Sequence, residues 1–587
     1  MDPPIQGADY SLYLDKVSGW GNLIMRSMHD DIDYGIGTAG ESSAGNDLSS
    51  ETGDGLFALS LQDFSAIDDN FILVAIGHEN TGYAMRIGDI EDATEIKFTG
   101  QPRVINAALR NPTIFYADSL YIQGDIQAPV DVISFYANRV EVNSQNIHDP
   151  MGLPDSGVYG WEVFFDVEEQ MQLGGWLRAA DLVSINVHST TGVGGFVTYA
   201  DGLNSLTSDM SSEIITANDA SLIDIDASGS IKSAGLIRAE GVGSKIDIHS
   251  ATSYTQLQGG ITSVTDNNAN ISIQAGEFMH LNSGSMIIAG ADFELIEGVA
   301  VWSEIASGVS VNFITASELL LGGSVTANGD INISVGGSYY DHEDYFDTIP
   351  GLVLAESTPV QSIFDSLDSG NFPLNLRAVF NANSLALGES VAVRTVEQGG
   401  RWIVSDSGGQ KYVIYASDPD NDGNIDSLQI QEAHYLIGHR GFGLLLTGTL
   451  RSMSDNTDLV IAVEEEAIIR GKVFVLGQNS NISVQSDQWI YWEGGLETSG
   501  NISFYGGTDT NGVSLDGAND LGSSVYIHTI SRLVTGQAGT SIEIYGAKDV
   551  DILGSIVAGG SIGDTGVTFS GQDSIVKIVA GEQVYLD

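Results

Sequence analysis

Residues 270–290 read "NISIQAGEFMHLNSGSMIIAG". They divide into three short runs, NISIQAG, EFMHLNSG and SMIIAG, each closed by glycine. Within each run apolar and polar residues alternate, the period of a half-buried strand. Three such strands in ~20 residues cannot enclose a core alone. Stacked on similar copies, each coil buries its inward face against the next and pairs its backbone along the axis. The stretch therefore predicts one coil of a parallel β-helix.

The spacing recurs. "IFYADSLYIQGDI" (114–126) and "SFYANRVEVNSQNI" (134–147) share Phe-Tyr-Ala at 115–117 and 135–137, 20 residues apart, and Leu120 and Ile122 are answered by Val140 and Val142. Asn-Ile-Ser followed by an apolar residue stands at 270, 332, 481 and 501. The last two copies are 20 residues apart; the first gap of 62 is close to three units, and the middle gap of 149 is near seven unless other chain is inserted. Related strings are "SLIDIDASG" at 221, "SKIDIHS" at 244, "VSVNFITA" at 309, "SVYIHT" at 524 and "SIEIYGA" at 541. The expected fold is all-β, a right-handed parallel β-helix of some 20 coils, about 4.8 Å each and on the order of 100 Å long. Ile271, Ile273, Ile333, Val335, Ile502 and Phe504 are its predicted inward residues. The asparagines are read as strand-entry residues in the left-handed region, which Asn tolerates. Asn-Ile-Ser is also a glycosylation sequon, but a structural repeat explains all four copies. A β-sandwich needs hairpin-rich units of about 100 residues and a propeller needs blades of about 40–50, so the short echo disfavours both.

Two regions break the rhythm. Residues 1–90, with the loop "GIGTAGESSAGNDLSSETGDG" (35–55), read as an irregular N-terminal region or cap. The β-helix is expected over 91–338. Residues 339–450 read as a mixed insertion on one face of the solenoid, with a short helix at 357–370 and strand-like "RWIVSD" (401–406) and "KYVIYA" (411–416). The β-helix resumes over 451–587. The final "DSIVKIVAGEQVYLD" (573–587) stops inside a strand-like run without a polar cap, so the chain reads as a slice of a longer protein, flanked by further segments of the same chain.

Composition narrows the function. There are 78 acidic and 22 basic residues, a net charge of −56, which disfavours nucleic-acid and anionic-membrane binding and attracts divalent cations. Gly is abundant, at 71, and Pro scarce, at 11, as many tight turns without rigid linkers require. The absence of cysteine removes disulfides, thiolate metal sites and cysteine nucleophiles. No apolar run is long enough to span a bilayer, and the first residues lack the basic and apolar regions of a signal peptide.

The sharpest chemical signal is "YASDPDNDGNIDSLQI" (415–430). Asp418, Asp420, Asp422, Gly423 and Asp426 occupy positions 1, 3, 5, 6 and 9 of a calcium loop, and Asn424 offers its backbone carbonyl. Position 12 is Gln429 where a helix–loop–helix site has a bidentate Glu, and alternating runs flank the loop. A strand–loop–strand staple holding Ca²⁺ is expected. The passage resembles the D-x-D-x-D-G-x-x-D loops of integrin-like FG-GAP and related extracellular repeats, in which the last Asp closes the cage. "DTNGVSLDG" (509–517), with Asp509, Asn511 and Asp516, and "DHEDYFD" (341–347) are weaker candidates, better read as a Gly-rich turn and a solvated loop. "EEE" at 464–466 reads as an outward face or turn. His434 and His439 have no zinc-protease spacing, and no nucleophile elbow or phosphate loop is present.

Across 91–338 and 451–587 the period, the G-x-I-x-I texture and the acidity without cysteine resemble filamentous-haemagglutinin-type adhesins and giant bacterial surface proteins with β-helical stalks. That resemblance implies a non-catalytic, exported or cell-surface scaffold. Its partners would be a host or neighbouring-cell surface, extracellular matrix or glycan. The alternative is a polysaccharide lyase, hydrolase or tail-spike-like depolymerase, which needs carboxylates and basic groups gathered in a groove across successive coils.

Overall fold

A computed structural model describes residues 10–11, 16–27, 33–36, 56–59, 66–79, 82–87, 107–122, 124–142, 157–188, 196–198, 212–256, 259–263, 269–296, 299–304, 308–336, 346–354, 358–359, 387–396, 399–406, 411–417, 424–425, 427–433, 442–464, 466–508, 510, 523–563, 566–569 and 573–586. There is no helix among them. The chain forms two compact units, residues 1–338 with 443–587, and residues 339–442.

The larger unit is a parallel β-helix. Its coil at 270–290 has the three expected strands, Asn270–Ala275, Phe278–Leu281 and Ser285–Ala289, which lie on a first, second and third face. Each pairs in parallel with its counterpart one coil away. The echoes seen in sequence are true register partners: Phe115 faces Phe135, and Ile482 faces Ile502. Inward side chains of successive coils therefore stack in columns. Ile271, Ile273, Ile333, Val335, Ile502 and Phe504 are all buried in them. Phe115, Phe135 and Phe165 form one such column, with ring centroids 5.2 and 4.6 Å apart and planes within 15°.

On the first face fifteen successive parallel pairings link sixteen strand segments, from Gly21–Met25 to Ile575–Ala580. At about 4.8 Å per step the stack runs about 70 Å, less than the ~100 Å expected. The shortfall arises because much of the chain lies between strands. Asn270 pairs with Ser310, 40 residues on, because the antiparallel hairpin of Ala291–Ile296 and Val299–Glu304 intervenes. The Asn-Ile-Ser copies at 270 and 332 thus lie two coils apart, not three, and those at 332 and 481 also two, not seven.

Two neighbouring coils differ in length for a definable reason. Ile482 pairs with Ile502, 20 residues on, but Asp458 pairs with Asn481, 23 on. The three extra residues sit in the turn from third to first face. In the longer turn one residue, two places ahead of the first-face strand, has positive φ: Ala220, Gly243, Gly308, Asn456, Asn479, Gly539 and Asp573 share this position. The left-handed position is therefore not that of the repeat asparagines. Asn270, Asn481 and Asn501 stand at strand entries and Asn332 is the second residue of its strand; all four link coils through their side chains. Asn501 Nδ2 donates to Asn481 Oδ1 at 3.1 Å, and Asn481 Nδ2 to Asp458 Oδ1 at 3.0 Å. Asn332 Nδ2 likewise donates to Asn312 Oδ1 at 2.9 Å, and Asn312 Nδ2 to Asn270 Oδ1 at 2.7 Å. Asn332 and Asn312 are register partners, as are Asn481 and Asp458, about 4.8 Å apart. The Asn312–Asn270 bond is diagonal, because Asn270 pairs with Ser310 and Asn312 with Ser272.

Two boundaries differ from the sequence reading. Residues 1–90 are not simply an irregular cap: Gly21–Met25 pairs with Phe71–Ile76, and Asp33–Ile36 pairs with Leu56–Leu59 and Ala84–Ile87, within the same parallel sheet. Unequal connections between these strands hide their period. The second boundary is the insertion's end. Phe442–Leu446 and Thr449–Ser452 already pair with Glu318–Leu321 and Ser324–Ala327, so the solenoid resumes before 450.

The smaller unit contains a five-stranded antiparallel sheet in the order Phe346–Leu354, Ser427–Ala433, Lys411–Ser417, Gly399–Asp406, Leu387–Val396. "RWIVSD" and "KYVIYA" fall in its strands. The helix expected at 357–370 does not begin at Thr358–Pro359, which is a strand paired with Asn424–Ile425. Residues 360–370 lie outside the described residues.

Candidate functional site

The acidic loop closes a hairpin. Lys411–Ser417 and Ser427–Ala433 are antiparallel neighbours, and Ser417 pairs with Ser427. The frame is strand–loop–strand, not helix–loop–helix. Asp418, Asp420, Asp422 and Asp426 lie outside the described residues, and Asn424 lies in the bridge that pairs it with Pro359.

Of the weaker candidates, Asp509, Asn511, Asp516, Asp341, His342, Glu343, Asp344, His434 and His439 also lie outside the described residues. Asp347 falls in a strand, paired with Glu432. The acidic triplet is not wholly outward: Glu464 is exposed, but Glu466 opens the strand Glu466–Ile469 and is buried. Among the described residues no group of three or more His, Cys, Asp or Glu side chains is placed to hold a metal ion. No helix among them is long and apolar enough to cross a membrane.

The outward side of the first face carries the other chemistry. Asp224 and Asp247 are register partners on adjacent coils. Partial burial pushes both carboxyls above their usual range, and the Asp247 charge raises Asp224 further. Beside them His249 Nδ1 lies 3.0 Å from Asp226 Oδ1, and two coils earlier His188 Nε2 lies 2.9 Å from Asp166 Oδ1. These groups share a face only because the coils stack; they are spread over more than 80 residues of sequence.

No family model, no curated protein and no solved structure matches this chain.

The remaining outward features are rows of aromatic and cationic side chains. Tyr505 and Tyr545 stack at 5.3 Å, Tyr491 and Tyr526 at 5.1 Å, and Tyr116 and Tyr136 at 5.3 Å, each pair on adjacent coils. Arg178 lies over the Trp176 ring at 5.2 Å and pairs with Glu213 at 2.9 Å. Lys577 lies over Tyr545 at 4.7 Å and donates to its hydroxyl at 2.5 Å. Sequence reasoning found the Phe-Tyr-Ala echo, which contains one of these rows, but not the others. The Tyr505–Tyr545, Tyr491–Tyr526 and Tyr545–Lys577 partners are separated by chain of varied length, so no fixed spacing signals them.

Proposed function

We propose that the chain is a structural or adhesive segment of a large secreted or cell-surface bacterial protein, a rigid stalk with a calcium-stabilised insertion. The observation that carries this reading is the ladder's continuity. Ile331–Val335 pairs directly with Asp458–Val463, so the excursion through 339–442 removes no rung. A solenoid that pairs every coil with both neighbours spreads load along its axis, as a stalk requires. The expected partners are a host or neighbouring-cell surface, matrix or glycan, and flanking segments of the same chain. Antibodies raised against the chain should label intact cells of its source; labelling only after lysis would refute the reading.

In the same reading Asp418, Asp420, Asp422, Asp426 and the Asn424 carbonyl would hold one Ca²⁺. Four carboxylates within nine residues repel one another, and a hard dication relieves that repulsion through oxygen ligands. The hairpin closure at Ser417 and Ser427 supports this assignment. Calcium at a hundredfold excess over Kd should stabilise the insertion by about 2.7 kcal/mol. Thermal unfolding with calcium and with chelator reads this directly. A response that persists in Asp420→Ala combined with Asp422→Ala would refute the assignment.

A second reading, a polysaccharide-degrading β-helix enzyme, is favoured by the outward row of Asp224 and Asp247 beside Asp226 and His249. Carboxyls raised by burial can hold the proton a glycosidic oxygen needs. New reducing ends from a polysaccharide panel, lost in Asp247→Asn, would replace the stalk reading with this one.

A further inference from the structure

An outward sheet face in water alternates with the core and is polar. The first face follows that rule over the coils of Leu222–Ala227, Lys245–Ser250 and Asn270–Ala275, where the outward residues include Asp224, Asp226, Asp247, His249 and Gln274. It breaks the rule in the preceding coils. There the outward positions hold Ile114, Tyr116, Val132, Tyr136, Phe164 and Leu182, with Val130 and Trp161 at the adjoining corner. Val130, Trp161 and Tyr136 are 73%, 41% and 38% exposed. Exposed apolar residues on this face elsewhere include Ile24 and Ile72 toward the N-terminus and Ile314, Val460 and Val579 further on, but these four adjacent coils place six outward apolar residues side by side, and a contiguous apolar patch is the mark of an interaction surface.

We propose that this face docks a short arginine-bearing, partly apolar polypeptide segment of a partner protein. Charge selects the partner. Asp118, Asp131, Glu162 and Asp166 lie in or beside the strands of the cluster, Asp118 accepting from Asn138 at 2.6 Å and Asp166 lying 2.9 Å from His188 Nε2. Residues 113–188 contain two arginines and no lysine. Both arginines are engaged, Arg139 with Glu169 at 2.6 Å and Arg178 with Glu213 at 2.9 Å. An incoming guanidinium could repeat the stacking of Arg178 over Trp176 at Trp161 beside Glu162, or at Tyr136, whose register partner Asp166 would exchange its His188 contact for it.

Size selects a segment over a folded partner. Four strands by about six residues cover on the order of 300 Å², well below the ~800 Å² per partner of a stable dimer. A second copy would also bring one acidic rim against another. The inference does not depend on the calcium loop or on the stalk reading.

The test is calorimetric titration of the full chain with a ten-residue peptide alternating Arg and Leu, against a Glu/Leu peptide. The Arg/Leu peptide should bind and the Glu/Leu peptide should not. Tyr136→Ser with Trp161→Ser should weaken binding about tenfold or more, as loss of aromatic anchors does. Glu162→Gln with Asp166→Asn should weaken it too and flatten its salt dependence. Tyr505→Ser, on a distant coil, should leave it unchanged. Equal binding by all variants would mean non-specific attraction to the acidic chain and would overturn the proposal, as would no binding at all. Sedimentation showing self-association that Tyr136→Ser with Trp161→Ser abolishes would overturn it in favour of a second copy.

Discussion

Phe135 and Tyr136 are consecutive residues with opposite fates, and replacing each by alanine tests the register of the whole first face. Phe135 is fully buried between Phe115 and Phe165, with centroids 5.2 and 4.6 Å away. Phe135→Ala leaves a ring-sized gap in a column whose upper and lower members are held by their own strands, so collapse around it is limited. The expected loss is about 3–5 kcal/mol, a range that already contains the two stacking contacts. Tyr136 is 38% exposed and stacks only on the outward side, on Tyr116 at 5.3 Å. Tyr136→Ala should cost no more than about 1 kcal/mol. Because solenoid stability is a sum of coil and neighbour terms, the Phe135→Ala loss should appear first near the substitution. Hydrogen exchange should rise in 113–117, 132–137 and 163–167 while 541–546 stays protected. Urea unfolding supplies the global values. A Tyr136→Ala variant destabilised as much as Phe135→Ala would refute the argument, since a one-residue slip turns every side chain to the other face.

Gly471 sits where coils approach closely: an added Cβ would lie 2.0 Å from the Gly448 carbonyl oxygen, so Gly471→Ala should cost about 1–3 kcal/mol in urea unfolding. Ala220, at φ 58°, holds the left-handed turn position that Gly243, Gly308 and Gly539 fill elsewhere; Ala220→Gly should raise the unfolding midpoint, by about 1 kcal/mol in stability. Asp224 and Asp247 have carboxyl pKa values raised in the fold, so the native state binds the extra proton and their ionisation opposes folding. That penalty is fully present above the raised values and fades as pH falls toward the ordinary carboxylate range. Asp247→Asn should therefore stabilise by about 0.2–1 kcal/mol at pH 7, and the gain should disappear as pH falls below about 4. An equal gain at both pH values would exclude this electrostatic cause.

The amino-acid sequence alone determined the coil, its three strands and its inward residues. Alternation is a local property, and a coil's inward face is apolar whichever coil lies beside it, so Ile271, Ile273 and Phe504 could be placed without coordinates. The acidic loop between two alternating runs was legible for the same reason. The tertiary structure decided which coils are neighbours. Leu319 meets Leu444 across the whole insertion, and Asn270 meets Ser310 across a hairpin, and no local pattern encodes either pairing. It also decided what the repeat asparagines do. Their side chains bond to the coil before, while the strained φ belongs to residues two places ahead of the strand, such as Asn456 and Asn479. The outward apolar cluster at Tyr136, Trp161 and Phe164 emerged only with the fold. Each residue alone is an unremarkable member of its strand; stacking at about 4.8 Å per coil makes them one surface.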